Sequence, residues 1–553
     1  MLDRRSLLRR GLAAGGSLFV PWSALRSANA RFDDPPASPR VRPFRAALPL
    51  PPASAAVPPF AAPDVVFPRQ STNAPEFHEI VAEERFVQMH PDLPPTRVWG
   101  YRDRTTASFP FAVGPTLLGR AGHPLVVRHR NALPPDHVGF GDPHLTVHFH
   151  GGHVEARSDG FPENITGFRP VFGPGEQYDY GYALLDPGFS HGAPDATDRP
   201  ATMWYHDHAI DFTAQNVYRG LVGFFLFFDE LDTGSEATGL RLPSGEFDVP
   251  LAMQDRRLDQ LGQLVYDPLQ HNGFLGDLWL VNGAIQPFFN VRRRKYRFRL
   301  LNGCNARFLG MQLVRENGRV EQFDLIATEG GLLSRPLRDR TLAFLSPAQR
   351  EDIVIDFSRF AQGTVLYLEN RLAQDDGRGP RGTFDEPELR TPGDRFLKIV
   401  VGGDAPDPSR VPDVLRPFEA IPQAEIRAAT RRRFEFERRN GSWVINGLAV
   451  DLERPIASAP VNRPEVWTLK NGGGGWWHPI HIHLEFMHIL SRNGAQPQLD
   501  ERDGIAKRDV ITLGPNDEVE AFFKFRDFPG KWVFHCHTLE HEDAFMMARF
   551  DVV

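Results

Sequence analysis

Four times this 553-residue chain places two histidines one residue apart: His148 and His150, His206 and His208, His481 and His483, His535 and His537. With 20 histidines in the whole chain, fewer than one such pair is expected by chance. Residues two apart on an extended strand face the same side, so each pair can present both imidazoles to one place. Eight imidazoles exceed what one metal ion takes, so the pattern implies several ions. Imidazole suits Zn, Cu, Fe and Ni and does not choose among them.

The choice comes from the opposite face. One of only 2 cysteines, Cys536, stands between His535 and His537 in the C-terminal stretch WVFHCHTLEHEDAFMM. By strand parity its thiol points away from its neighbours, toward a different site. His478, in HPIHIH, also faces opposite to His481 and His483. Cys536 and His478 can therefore meet on one side while the pairs gather on the other. With His541 added, and Met546 as a weak axial thioether, the set is that of a blue-copper electron-transfer site. The backbone from Cys536 to its flanking histidines then links one kind of site to the other.

Such sites need strands to carry them. Short β-branched and aromatic runs bounded by turn residues recur along the chain, among them HPLVVRHRN, LTVHFHGG, GLVGFFLFFDE, KYRFRLLNG, EDIVIDFS and GTVLYLEN. The 49 Gly, 49 Pro and 43 Phe suit turns and β structure. A chain this long outgrows one core, and polar breaks at 231–247 and 403–430 divide it into three pieces of sandwich size. The expectation is an all-β chain of several sandwiches behind a Pro-rich segment at 31–65, read as an extended arm or disordered linker. The formal charge of −7 gives no basic face for nucleic acid, two cysteines make no disulfide framework, and no run is apolar for long enough to span a bilayer. Arg4 and Arg5, the weakly apolar run Gly11–Val20 and Ala28-Asn29-Ala30 read as a twin-arginine signal over 1–30. That predicts handling by the twin-arginine export machinery and a periplasmic product.

With these residues in view, the sequence resembles the multicopper oxidases, in the branch of bacterial spore-coat laccase and bilirubin oxidase. The likeness runs through all four histidine segments and continues in MHPDLPPTRVWGYRD, GDLWLVNGAIQPFFNV, KYRFRLLNGCNARF and LIATEGGLL, over about 75–553. It implies three cupredoxin-like Greek-key β-sandwich domains, at 66–230, 248–402 and 431–553, and four copper ions. His148 and His481 would hold the type 2 copper, and His150, His206, His208, His483, His535 and His537 the type 3 pair. His478, Cys536, His541 and axial Met546 would form type 1. The partners implied are O₂ and a small-molecule electron donor: a phenol, an aromatic amine or a bilirubin-like pigment. The donor would pass one electron at a time, with the edge of His541 favoured as the port.

Reduction of O₂ to water also consumes protons. Asp159, in RSDGFPEN, and Glu542 fall where the family places acids near the cluster, although Ser-Asp-Gly is an ordinary turn and Glu540, Glu542 and Asp543 could be a solvated acidic run. His153, in HGGH, is one histidine too many and reads as a hydrogen-bonded neighbour of the site. Cys304 reads as a buried thiol, and the loop 373–394 as a solvated insertion that could border a substrate site. Rival functions are a metallo-oxidase acting on Cu(I) or Mn(II), against whose copper-efflux version stand only 8 Met, and a copper-free envelope protein, against which stands the full ligand set. A copper nitrite reductase would not need the type 3 pairs.

Overall fold

The structure, a computed structural model, describes residues 36–553. The export signal expected over 1–30 lies outside the described residues. Among these, no helix is long and apolar enough to cross a membrane.

The described chain is all-β, with six sheets, each built from strands of one stretch of sequence. Two four-stranded sheets draw on strands between Glu76 and Phe228, a seven- and a six-stranded sheet on strands between Asp248 and Asp404, and two five-stranded sheets on strands between Thr430 and Val552. Neighbours in a sheet are often distant in sequence, as Greek-key connections require. Glu76–Val87 lies parallel to Leu125–Ala132, and Thr430–Arg439 parallel to Pro464–Asn471.

Period-2 alternation sorts each strand's residues between its own core and the outside. Along Val147–His150, Val147 and Phe149 enter the core formed with Met203 and Tyr205 of Thr202–Asp207. His148, His150 and His206 therefore sit on the face turned away from that core. In the C-terminal stretch, Ile480 and Ile482 of His478–Ile482 pack with Trp532, Phe534 and Cys536 of Gly530–Cys536, and with Met546. His481, His483, His535 and His537 are thereby thrown to the other face. Register completes the arrangement: His148 is directly opposite His206, and His481 directly opposite His535.

Of the two expectations for 31–65, the described part supports the arm. It runs extended and is tied down by backbone hydrogen bonds from Phe44 to Gln286, Leu48 to Phe288, Ser54 to Thr116 and Val57 to Phe77. Leu48 is buried among residues of the middle sheets. Loop 373–394 is only partly the solvated insertion expected. Ala373, Gln374, Gly377, Gly379 and Pro380 are buried, and 381–390 are largely exposed. The first third is held because Trp477 N–H donates to the Arg378 carbonyl at 2.8 Å.

Candidate metal centre

The eight paired histidines converge in the interior, all of them buried. They fall into three groups, the first two sharing His150, whose nitrogens lie within 4.8 Å of one another: His148, His150 and His481; His150, His206 and His537; His208, His483 and His535. Three of the four His-x-His pairs are split between groups, and only His148 and His150 meet in one, where His150 also reaches the second group. The closest approaches are His148 Nε2 to His481 Nε2 at 3.3 Å, His206 Nε2 to His150 Nδ1 at 3.4 Å, and His535 Nε2 to His208 Nε2 at 3.1 Å and to His483 Nε2 at 3.3 Å.

Oxygen acceptors fix which nitrogen of most rings faces inward. Nδ1–H of His148 is 2.5 Å from the Asp159 carbonyl, that of His481 2.8 Å from the Asp509 carbonyl, and that of His206 2.8 Å from the Asp207 carbonyl. His535 Nδ1 is 3.1 Å from the Cys536 carbonyl, and His483 donates to the Asp159 carboxylate at 2.6 Å. With Nδ1 protonated, each Nε2 carries a lone pair. Burial and neighbouring imidazoles push His148, His481 and His483 well below the usual histidine range. Burial likewise takes His206 down to about 3 and His208 to about 4. These rings are neutral at pH 7, so their facing nitrogens have no proton to share. Lone pairs meeting at about 3.3 Å repel unless a cation lies between them, and that donor set fits bound metal.

Both expected acids are at the cluster. Asp159 bridges His148 through its carbonyl and His483 through its carboxylate. Burial raises its carboxyl well above the usual range, and Oδ1 has no hydrogen-bond partner among the described residues. Gly160 follows with φ +87°, and a Cβ there would lie 2.4 Å from the Val147 carbonyl. Glycine thus lets the turn press Asp159 onto the His148 strand. Glu542 lies 3.0 Å from His535 Nδ1 and 3.5 Å from His208 Nδ1. The solvated acidic run is corrected, since Glu540 and Glu542 are both buried. Glu540 accepts from Asn305 and Tyr266 at 2.9 Å each, and Asp543 accepts from the first backbone N–H groups of helix Thr213–Arg219. His153 stands outside all the histidine groups, with Nε2 2.9 Å from Asp527, and Cys304 is a buried free thiol.

On the other face of the Cys536 strand, Sγ lies 3.6 Å from Nδ1 of both His478 and His541, and those two nitrogens are 3.2 Å apart. Nε2 of each ring is buried without a partner among the described residues. Burial pushes the Cys536 thiol up and His478 down to about 3. A cation that stabilises the thiolate fits this soft, neutral donor set. Met546 shares the buried cluster of Cys536, and its N–H donates to the His541 carbonyl at 3.0 Å. Met547 belongs to a separate cluster with Phe161, Leu452 and Val533.

The edge of His541, expected as the electron port, lies under an aromatic cover. His541 and His478 are both 0% exposed, because Trp443 lies over His541 with ring centroids 3.9 Å apart and Trp476 stands beside it at 5.6 Å. Sequence reasoning missed this cover and also missed Asp509. Asp509 holds His481 by its carbonyl, reaches within 3.4 Å of His150 Nε2, and is pinned by Arg350 through bonds of 2.8 and 2.6 Å. A Cβ at Gly151, φ +89°, would lie 2.7 Å from that guanidinium, so the glycine after His150 makes room for it. Its presence in HFHGG was the one available signal.

A family model for multicopper oxidases matches residues 422–553. The bilirubin oxidase of Albifimbria verrucaria is 34% identical over 487 residues, spanning 86% of this chain and 76% of that protein. The laccase of Bacillus subtilis is 30% identical over 540 residues, 89% of this chain and 97% of its own. Among solved structures, the McoA multicopper oxidase of Aquifex aeolicus superposes with a TM-score of 0.72 at 25% identity, covering 92% of this chain and 99% of that one. With this likeness along most of its length and these donor sets in its interior, the chain belongs to the multicopper oxidase family and is a copper-binding oxidoreductase that uses oxygen.

Proposed function

We propose that the protein is a laccase-like oxidase that takes single electrons from phenols, aromatic amines or bilirubin-like donors and reduces O₂ to water. His478, Cys536, His541 and Met546 would hold a type 1 copper, His148 and His481 the type 2, and the other six paired histidines the type 3 pair. Bound there, the coppers would supply one-electron acceptance at the Cys536 site and four-electron delivery to O₂ at the histidine cluster. One observation carries the reading. Cys536 meets His478 and His541 at 3.6 Å on one face of its strand, while His535 and His537 join the histidine groups on the other. Donor and acceptor sites are then joined by one residue's backbone on either side.

The chain's own groups would do the rest. Asp159 and Glu542 are the candidate proton donors, each in contact with the rings of the cluster. The aromatic cover keeps water from the Cys536 site while leaving an indole between it and a donor. A metal-ion donor is less well served, since Cu(I) or Mn(II) would approach a cover made of Trp443 and Trp476 under Arg378 and Arg438. Two cations there repel a third, and no thioether or carboxylate of the cover itself offers a ligand. The test is a steady-state comparison of a phenol, bilirubin, Cu(I) and Mn(II) as donors to the copper-loaded protein. Turnover with the metal ions alone would end the reading. Export by a twin-arginine signal over 1–30 belongs to the same proposal, checked by whether Arg4→Lys with Arg5→Lys abolishes export.

A further inference from the structure

The cover over His541 carries an unusual charge. Arg438 lies directly across the hairpin from Trp443, which sets its guanidinium 5.3 Å from the Trp443 ring and 5.8 Å from that of Trp476. Arg378 arrives from a different part of the chain, the start of loop 373–394. The hydrogen bond from Trp477 N–H to the Arg378 carbonyl anchors that loop, and the guanidinium sits 5.5 Å from the Trp476 ring. The two indoles meet edge to face at 4.9 Å. Two exposed cations thus converge on one aromatic pair, immediately outside a buried site, in a chain whose net charge is −7.

These cations are little neutralised. Arg438 forms no ion pair among the described residues. Arg378 has Asp376 at 3.8 Å, with both side chains 61% exposed, a distance and exposure at which the pairing is weak. Guanidinium stacked on indole is held in place while its outer N–H donors stay free, an arrangement suited to accepting a carboxylate. The other exposed arginine of the same loop lacks this placement: Arg381 is paired with Asp375 and Glu388.

Resting on the laccase-like reading above, we infer that Arg378, Arg438 and Trp476 form a binding site for small aromatic donors that carry a carboxylate. The carboxylate pairs with the two guanidinium groups, and the ring lies over the aromatic pair they cover, of which Trp476 is 7% and Trp443 1% exposed. Neutral phenols share the aromatic contact and lack the ionic one. The site therefore sets preference among donors through binding.

Two measurements on copper-loaded, full-length protein test this. The first compares syringate with its decarboxylated parent, syringol, by kcat/KM. In the variant Arg378→Gln with Arg438→Gln, the syringate-to-syringol ratio should fall about tenfold, through KM of syringate, and added salt should narrow the wild-type preference. Arg381→Gln, on the same loop, should leave the ratio as it is. The second uses equilibrium dialysis with a naphthalene carboxylate and the matching carboxamide, neither of which is a donor. The carboxylate should bind wild type more tightly than the amide, and the double variant should lose that difference. An unchanged ratio together with equal binding of acid and amide would overturn the site while leaving the laccase-like reading intact. If neither phenol is oxidised, the broader reading fails, and dialysis alone decides the site.

Discussion

The histidine cluster and the Cys536 site share one strand, Gly530–Cys536, yet they are held by opposite means. In the cluster, Nδ1 of five rings goes to an oxygen, four backbone carbonyls and the Asp159 carboxylate. Behind it stand buried ion pairs such as Arg350 with Asp509 and Arg508 with Glu329. Around Cys536 the restraint is packing: Trp443 and Trp476 on one side, Ile480, Phe534 and Met546 on the other. A centre that only passes electrons gains from an apolar shell that keeps its geometry fixed as its charge changes. A centre that must deliver protons needs polar groups within reach and tolerates their desolvation cost. The contrast gives a scale on which variants should separate.

The largest separation is expected from Cys536→Ser. Copper-loaded wild type should be blue, with about four coppers per chain, since thiolate-to-copper charge transfer requires the thiolate. The serine variant should be colourless and lose oxidase turnover by on the order of a thousandfold or more, while retaining most of the copper at the histidine cluster. Absorption spectra beside metal analysis check this, and a variant that stays blue would remove Cys536 from the assignment.

Next come the acids. Asp159→Asn and Glu542→Gln keep shape and lose the carboxylate, so turnover with O₂ should fall about a hundredfold. Anaerobic reduction by a phenol, which involves only the packed site, should keep its rate. Stopped-flow reduction and reoxidation, with copper content measured on the same samples, separate the possibilities. Slowed reduction, or loss of copper from the cluster, would mean that these acids hold the site together and do not supply protons to it.

The charged frame should also leave a mark on stability that the aromatic frame cannot. Glu351, 3.7 Å from Arg508, is pushed up to about 8 by burial, with Arg508 partly opposing the shift. Its ordinary value is 4.5. Between those two values the folded chain holds a proton that the unfolded chain releases. This contribution is complete below pH 4.5 and is lost as pH rises through 8, at up to about 1.4 kcal/mol per pH unit. Denaturant titrations of wild type and Glu351→Gln across that window should diverge. Parallel curves would show that Glu351 is ionised in the folded protein.

What could be read from the sequence follows the same division. The two faces of the Cys536 strand were legible because parity is local: His535 and His537 had to face one way and Cys536 the other. His478 followed from the same rule, and His541 was added as the neighbour that completes the donor set. The division of three of the four His-x-His pairs between groups was not legible, because it depends on which distant strand lies opposite, such as His148 against His206. Trp443 and Arg378 were invisible for a related reason. A strand pattern shows that a face is covered and says nothing of which remote segment covers it. Likewise the run Glu540–Asp543 looks solvated until Tyr266 and Asn305 arrive from loops between the middle strands to accompany Glu540.

The smallest effect, and the finest test of register, concerns the two adjacent methionines. Met546 lies in the buried cluster that contains Cys536, and Met547 in the separate one with Val533 and Leu452. A thioether is a weak axial ligand that tunes potential without being needed to hold copper. Met546→Leu should therefore keep the blue colour and full copper, and raise the reduction potential, since a side chain that cannot ligate favours Cu(I) over Cu(II). Met547→Leu replaces one apolar side chain by another of similar volume, and should cost less than about 1.5 kcal/mol in stability with no change in potential. Redox titration of the blue band in both variants decides between them. A shift in Met547→Leu without one in Met546→Leu would place the axial position one residue later, and the packed site would then need rebuilding around the other face of Met547–Val552.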